Sequence, residues 1–230
     1  TEEWTDSEML AYEKATLGFY ITKHPLAQYE ELVRRFSTAD TSDLVRLSDG
    51  QQIVLGGLVS RVRSVPIKTG RSLGKKLVVA TIEDFAGATE IIVFPGQQED
   101  ALPALKPDAV VFVTGAVDRR REEPSIRTER VIPIEQARRE FARETIVRLR
   151  SGPEAAATLP RIQQLCRTHR GNCPLYIEVT SPEGWTALVK GRQAATIDPS
   201  EDFIGRVQCL DGVQGVVCYG ARGAVGAAHK

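Results

Sequence analysis

Ile53-Val54-Leu55-Gly56-Gly57-Leu58-Val59-Ser60-Arg61-Val62-Arg63-Ser64-Val65 is a Val-rich run that reads as one long strand. The Gly56-Gly57 pair inside it allows the sharp curl that closes a small barrel. Four more alternating runs follow, at 77–82, 89–94, 110–117 and 126–134. Turn chemistry separates them: Lys68-Thr69-Gly70, Asp84-Phe85-Ala86-Gly87 and the charged run at 118–124. Residues 96–105 suit a short helix between the third and fourth strands. Five strands with a helix at that point is the order of an OB barrel, so residues 51–134 are expected to form one.

On the N-terminal side, residues 1–50 read as a helical segment and connector. Met9, Leu10, Glu13 and Leu17 recur at helical spacing, with Gly18 as a stop. A short apolar link carries His24-Pro25. A second helix then puts Leu26, Tyr29, Val33 and Phe36 on one face, and the polar stretch 37–50 leads into the barrel. On the C-terminal side, residues 135–143 read as a charged linker helix. Residues 144–220 then give a strand at 145–149, a helix at 153–169, two or three strands within 175–197, a helix at 199–210 and a strand at 213–219. Proline opens both helices, at Pro153 and Pro199. The predicted architecture is therefore a β barrel plus a small α+β domain, ending in a Gly/Ala-rich tail at 221–230 expected to be disordered.

At 230 residues the chain can bury a sizeable core, and 42% apolar with 26% charged residues is ordinary composition. Thirty basic and thirty acidic residues give a formal net charge of zero, which conceals a local asymmetry. No stretch approaches the ~18 apolar residues of a membrane span. The start, Thr1-Glu2-Glu3-Trp4, has neither the basic onset nor the apolar core of a signal peptide. It also lacks an initiator Met, so a fragment of a longer protein is expected, from the cytoplasm. Cys166, Cys173, Cys209 and Cys218 all lie in the last third. Cys166-x2-His169-x3-Cys173 has a spacing that hints at zinc, but no second close pair completes four ligands. Reduced cysteines are the expectation, with Cys209 and Cys218 packing as small hydrophobes.

The asymmetry lies in residues 50–82, which hold six cationic side chains and no carboxylate: Arg61, Arg63, Lys68, Arg71, Lys75 and Lys76. Cations at alternate positions such as Arg61 and Arg63 share a face of a strand. A positive stripe on a strand-turn-strand element is how a small barrel holds a nucleic-acid backbone. A solvated edge using cations to prevent sheet-to-sheet pairing would give the same pattern. No acid lies nearby in sequence, so the stripe is expected to be uncompensated. Phe85, in the turn after the second strand, is the candidate for stacking on a base, with capping of the barrel's open end as its alternative. Phe112, between valines, reads as core. Arg119-Arg120-Arg121 fall between strands four and five, where an OB loop flanks the ligand; Glu122-Glu123 are expected to offset part of their charge.

For catalysis and for metal the chain offers no candidate residues. It has no glycine-rich phosphate loop, no GxSxG and no HExxH. Glu83 and Asp84 are adjacent on a strand and point to opposite faces, so Asp84 reads as a turn former with Gly87.

Glu13-Lys14-Ala15-Thr16-Leu17-Gly18-Phe19-Tyr20-Ile21-Thr22-Lys23-His24-Pro25-Leu26 resembles the segment preceding the OB domain in the alpha subunit of bacterial DNA polymerase III. Val54-x-Gly56, Lys68-x-Gly70, the run from Thr81 through Asp84-Phe85-Ala86-Gly87 to Glu90, and Val93-Phe94-Pro95 are similar to that family's OB domain. His169-Arg170-Gly171-Asn172-Cys173-Pro174 resembles its C-terminal domain. The resemblance implies a noncatalytic piece of a replicative polymerase, whose magnesium-bound carboxylates and nucleotide-binding fingers lie upstream. No cofactor is implied for this piece. It further implies an OB domain on single-stranded template DNA, a last domain that docks the clamp-loader tau subunit, and the rest of the polymerase chain as a third partner. The family's basic OB positions fall on Arg63 and Lys68, while a third is Phe85 here, leaving stacking in place of a phosphate contact at that turn. Two other classes stay open: a pure protein-interaction module of the replicase without DNA binding, and an RNA-binding barrel of the tRNA-synthetase kind.

Overall fold

The computed structural model describes residues 25–67, 73–190 and 196–220. The chain divides into two compact units, residues 1–134 and 135–230. The first helix expected at 4–17 lies outside the described residues, as does the tail at 221–230.

In the first unit, five strands follow in sequence: β1 (Gln52–Pro66), β2 (Lys76–Glu83), β3 (Ala88–Val93), β4 (Val110–Asp118) and β5 (Ser125–Pro133). They pair in the order β1-β2-β3-β5-β4, and β4 returns to β1, so the barrel closes. Two features make that closure possible. β1 serves two neighbours, pairing with β4 over Gln52 to Leu58 and with β2 from Leu58 to Pro66. The glycine pair sits at this change of partner. A Cβ on Gly56 would stand 2.7 Å from the Phe112 ring, and one on Gly57 would stand 2.6 Å from the Glu83 carbonyl oxygen. The second feature is the parallel pairing of β3 with β5 through Glu90–Ser125, Ile91–Ile126 and Ile92–Arg127.

The barrel interior is aliphatic: Ile53, Leu55, Val59, Val78, Ala80, Ile82, Ile91, Val93, Val111, Val113, Val117, Ile126 and Val131 form one buried cluster. Burial of this apolar surface is the main stabilising term of the unit. One stretch of the barrel's outside is also covered. Helix α1 (Glu30–Phe36), entered from a 3-10 turn at Ala27–Tyr29, buries Val33 and Phe36. Phe36 meets Phe112 edge-on, with ring centroids 6.2 Å apart. The connector is stitched to β1: the Gly56 and Val54 amides donate to Ser37 Oγ (3.0 Å) and Thr38 Oγ1 (2.8 Å). It is also tied to the β2–β3 turn, where Thr41 donates to both oxygens of Asp84, at 2.7 Å from its amide and 2.6 Å from its hydroxyl. Asp84 in turn accepts from the Ala86 and Gly87 amides at 2.8 and 3.0 Å, which is the turn-forming role its position suggested.

The helix expected at 96–105 is shorter in the structure. A 3-10 turn at Pro95–Gln97 leads into α2 (Gln98–Ala101). Pro103, lacking an N–H, cannot continue the ladder.

A 3-10 turn at Ile134–Gln136 falls at the boundary between the units, and α3 (Ala137–Phe141) follows it in the second. Then come β6 (Glu144–Arg150), α4 (Pro153–Thr168), β7 (Arg170–Thr180), β8 (Thr186–Lys190), β9 (Thr196–Ile197), α5 (Glu201–Gln208) and β10 (Val213–Tyr219). β6 and β7 run parallel across α4, with β10 and β8 antiparallel on either side. α5 starts at Glu201 because Ser200 caps it, accepting from the Phe203 amide at 3.4 Å. Ile146, Leu149, Ile162, Phe203 and Val207 are buried here.

The four thiols are free. Thr145 Oγ1 lies 3.3 Å from Cys173 Sγ and 3.5 Å from Cys218 Sγ, inside the sheet. Burial pushes the Cys173 thiol up to about 11, against the opposing pull of Thr145. Cys209 differs from expectation: it follows the last turn of α5 and is exposed, not packed. His169, the middle of the zinc-like spacing, places Nε2 2.7 Å from Asp202 and Nδ1 3.0 Å from the Leu165 carbonyl oxygen. No described helix is long and apolar enough to cross a membrane.

Candidate nucleic-acid interface

Side chains on β1 switch faces at Ser60. Val59 pairs with Ile82 and lies in the core, yet Arg61 pairs with Thr81, because the register shifts between them. Ser60 is the extra residue, and such a bulge reverses the parity of everything beyond it. Val62, opposite Ala80, therefore packs on the interior cluster, and Arg61 and Arg63 point outward.

Two transverse rows cross the outside of the barrel. One runs Arg61, Thr81, Glu90, Ser125 over β1, β2, β3 and β5; the next runs Arg63, Val79, Ile92, Arg127. Val79 and Ile92 are buried in the second row, between two exposed arginines. Arg127 was not foreseen. Its signal was available: a lone cation between Ile126 and Thr128 on an alternating strand.

Of the ten candidates, eight fall on described residues. Lys75 precedes β2, and Lys76 is its first residue, opposite Pro66; both are exposed. Phe85 is 47% exposed at the tip of the Asp84–Gly87 turn, so its ring is not sealing the barrel end. Lys68 and Arg71 lie outside the described residues.

The stripe is not uncompensated, which corrects the sequence reading. Glu90 enters from β3, where its Oε1 meets Arg63 Nη2 at 2.6 Å and its Oε2 meets Arg121 Nη1 at 3.6 Å. Sequence proximity missed it because the partners lie on different strands. The loop arginines are also held differently from expectation. Asp118 and Glu90, not Glu122 and Glu123, are the carboxylates they pair with. Arg120 grips Asp118, and those side-chain hydrogen bonds hold the Asp118 carboxyl at about 2 despite its burial. Arg119 donates from Nη1 to the Leu47 carbonyl at 3.0 Å and from its amide to Asp49 at 2.9 Å. The structure therefore brings Arg63 and Arg121 together and directs Arg119 and Arg120 elsewhere. Among the described residues Arg61, Lys75 and Lys76 have no ion-pair partner.

What this surface can do is hold an extended anion. Arg61, Arg63, Arg121 and Arg127 carry permanent charge in a fork geometry suited to phosphate. No grouping of three or more His, Cys, Asp or Glu side chains suited to a metal exists among the described residues.

Residues 53–134 match the tRNA anti-codon family, described as an OB-fold nucleic acid binding domain. The chain is similar to a protein named DNA polymerase III subunit alpha from Pseudomonas fluorescens, 33% identical over 88% of this chain and 17% of that one. It is 27% identical to the protein of the same name from Bacillus subtilis (strain 168), over 94% of this chain and 19% of that one. It thus spans about a sixth to a fifth of the length of these relatives. Among solved structures, the hypothetical protein ygiW from E. coli covers 41% of this chain and 87% of its own, at 14% identity and a TM-score of 0.31.

Proposed function

From the OB-fold domain at residues 53–134 and the relatedness to DNA polymerase III alpha subunits along 88% of the chain, we propose that this is a noncatalytic part of a bacterial replicative polymerase. Its barrel lays single-stranded template DNA across the outer face of β1, β2 and β3. The observation that carries this reading is the pair of outward rows with Arg61, Arg63 and Arg127, flanked by Arg121, with the ring of Phe85 exposed in the β2–β3 turn. Phosphates follow the arginines, and a base stacks on Phe85. The candidate sites are Arg61, Arg63, Lys68, Arg71, Lys75, Lys76, Phe85 and Arg121, joined by Arg127 from β5. Arg119 and Arg120 shape the flanking loop.

Primer extension belongs to the parent chain. The described carboxylates form no grouping that fits magnesium, so no step of that chemistry is assigned to them. The second unit docks a replisome partner, the clamp-loader tau subunit. Supporting this, β8 is an outer strand carrying exposed Leu188 and Val189, with exposed Trp185 just before it. We place the protein in the cytoplasm, with its replication partners.

A salt series of fluorescence anisotropy with a labelled oligothymidine tests the DNA reading. Contact with about four to six phosphates gives a log-log slope near −3 to −4 for a single strand. Salt-insensitive or absent binding sinks it in favour of the protein-interaction module. The tRNA anti-codon family match favours an RNA barrel as the other reading. A strong preference for the ribo oligomer over the deoxy one, which requires 2′-hydroxyl contacts, would establish that instead.

A further inference from the structure

Glu90 occupies the middle of the proposed interface and carries the wrong charge for it. Its strand neighbours are Thr81 on β2 and Ser125 on β5, and its side chain is 36% exposed. The two carboxylate oxygens reach different guanidinium groups, Arg63 from β1 and Arg121 from the loop between β4 and β5. Those arginines lie far apart in sequence, and Glu90 meets both. A carboxylate presents two oxygens to guanidinium forks much as a phosphodiester does. We infer that Glu90 is a built-in stand-in for one backbone phosphate: it holds Arg63 and Arg121 aimed at a single point in the empty protein and competes with DNA for them.

This rests on the reading of the outer face as DNA-binding. The arrangement has two consequences. With Glu90 between them, Arg63 and Arg121 present a net charge of +1 rather than +2, so the cluster neutralises about one phosphate fewer and displaces correspondingly fewer counterions from the nucleic acid. Binding is thereby weaker and less salt-dependent than the number of arginines suggests. A protein that must travel along template benefits from contacts that re-form internally on release.

Glu90→Gln keeps the size and an acceptor oxygen but removes the charge. With a single-stranded oligothymidine of about 16 nucleotides, E90Q is expected to bind roughly 2- to 5-fold tighter at low salt, the scale of an exposed ion pair. Its log-log salt slope is expected to steepen by about 0.7, one phosphate's worth. General charge removal is separated from competition by repeating the change in a R63Q/R121Q background. The gain should vanish there, because the carboxylate then has no arginine to withhold. If the native chain binds but E90Q is no tighter, or the gain persists without both arginines, the competition is refuted and the DNA reading stands. If neither protein shows salt-sensitive binding, the DNA reading falls and this inference with it.

Discussion

The two halves of β1 use the same Val-rich backbone for opposite purposes. Ile53, Leu55 and Val59 fill the barrel, while Arg61 and Arg63, the next odd-numbered positions, stand on its outside. A single unpaired residue, Ser60, separates core from contact surface. Two parts of the barrel's exterior differ just as sharply. Near Phe112 it is covered by Phe36 of α1, and across β1–β2–β3 its second row ends in exposed arginines with Val79 and Ile92 buried between them. The first part is finished as protein, and the second is complementary to something else.

That contrast can be broken most violently at Val59. V59R places a guanidinium at a fully buried position facing Ile82 and should abolish cooperative melting, at a cost beyond about 4 kcal/mol. If V59R folds normally, the register shift is wrong. Next in size is Gly57→Ala at the change of partner. Its Cβ would press 2.6 Å from the Glu83 carbonyl oxygen, and calorimetry should show a loss of about 1–3 kcal/mol.

Asp118 sharpens the comparison through pH. Its folded pKa of about 2 lies below the unfolded value of about 3.9, so its stabilisation is complete above about pH 4. It is lost as pH falls from there through about 2. Because Arg120 is largely exposed, D118N at neutral pH should cost on the order of 1–2 kcal/mol, and the native chain's extra stability over D118N should fade over that acid range. The smallest effect is expected at Arg61. R61V, two residues from Val59, should change melting by less than about 0.5 kcal/mol while flattening the salt slope of oligonucleotide binding by about 0.7.

The strands were legible because each alternates and each is bounded by turn residues; the sequence places all five within about two residues of their ends. Asp84 was legible as a turn former for the same local reason. Three things were not. Leu58-Val59-Ser60 gives no local sign of which residue is extra, because the shift is a property of pairing with β2. Glu90 could not be seen as a partner of Arg63 and Arg121, since lateral strand pairing, through β2 to β1 and directly to β5, not sequence distance, brings β3 to them. Arg120 looked like a contact residue until Asp118, two positions away, was found facing the same side. Local patterns thus report which faces exist. Charge pairing across strands decides what each face is free to bind.

The most direct measurement is amide chemical-shift mapping of the chain as single-stranded oligothymidine is added. The account predicts movement at Arg61, Arg63, Thr81, Glu90 and in the turn around Phe85, with Phe36 and Phe112 unmoved. Shifts confined to the α1-covered side or to the second unit, with β1 to β3 silent, would contradict it.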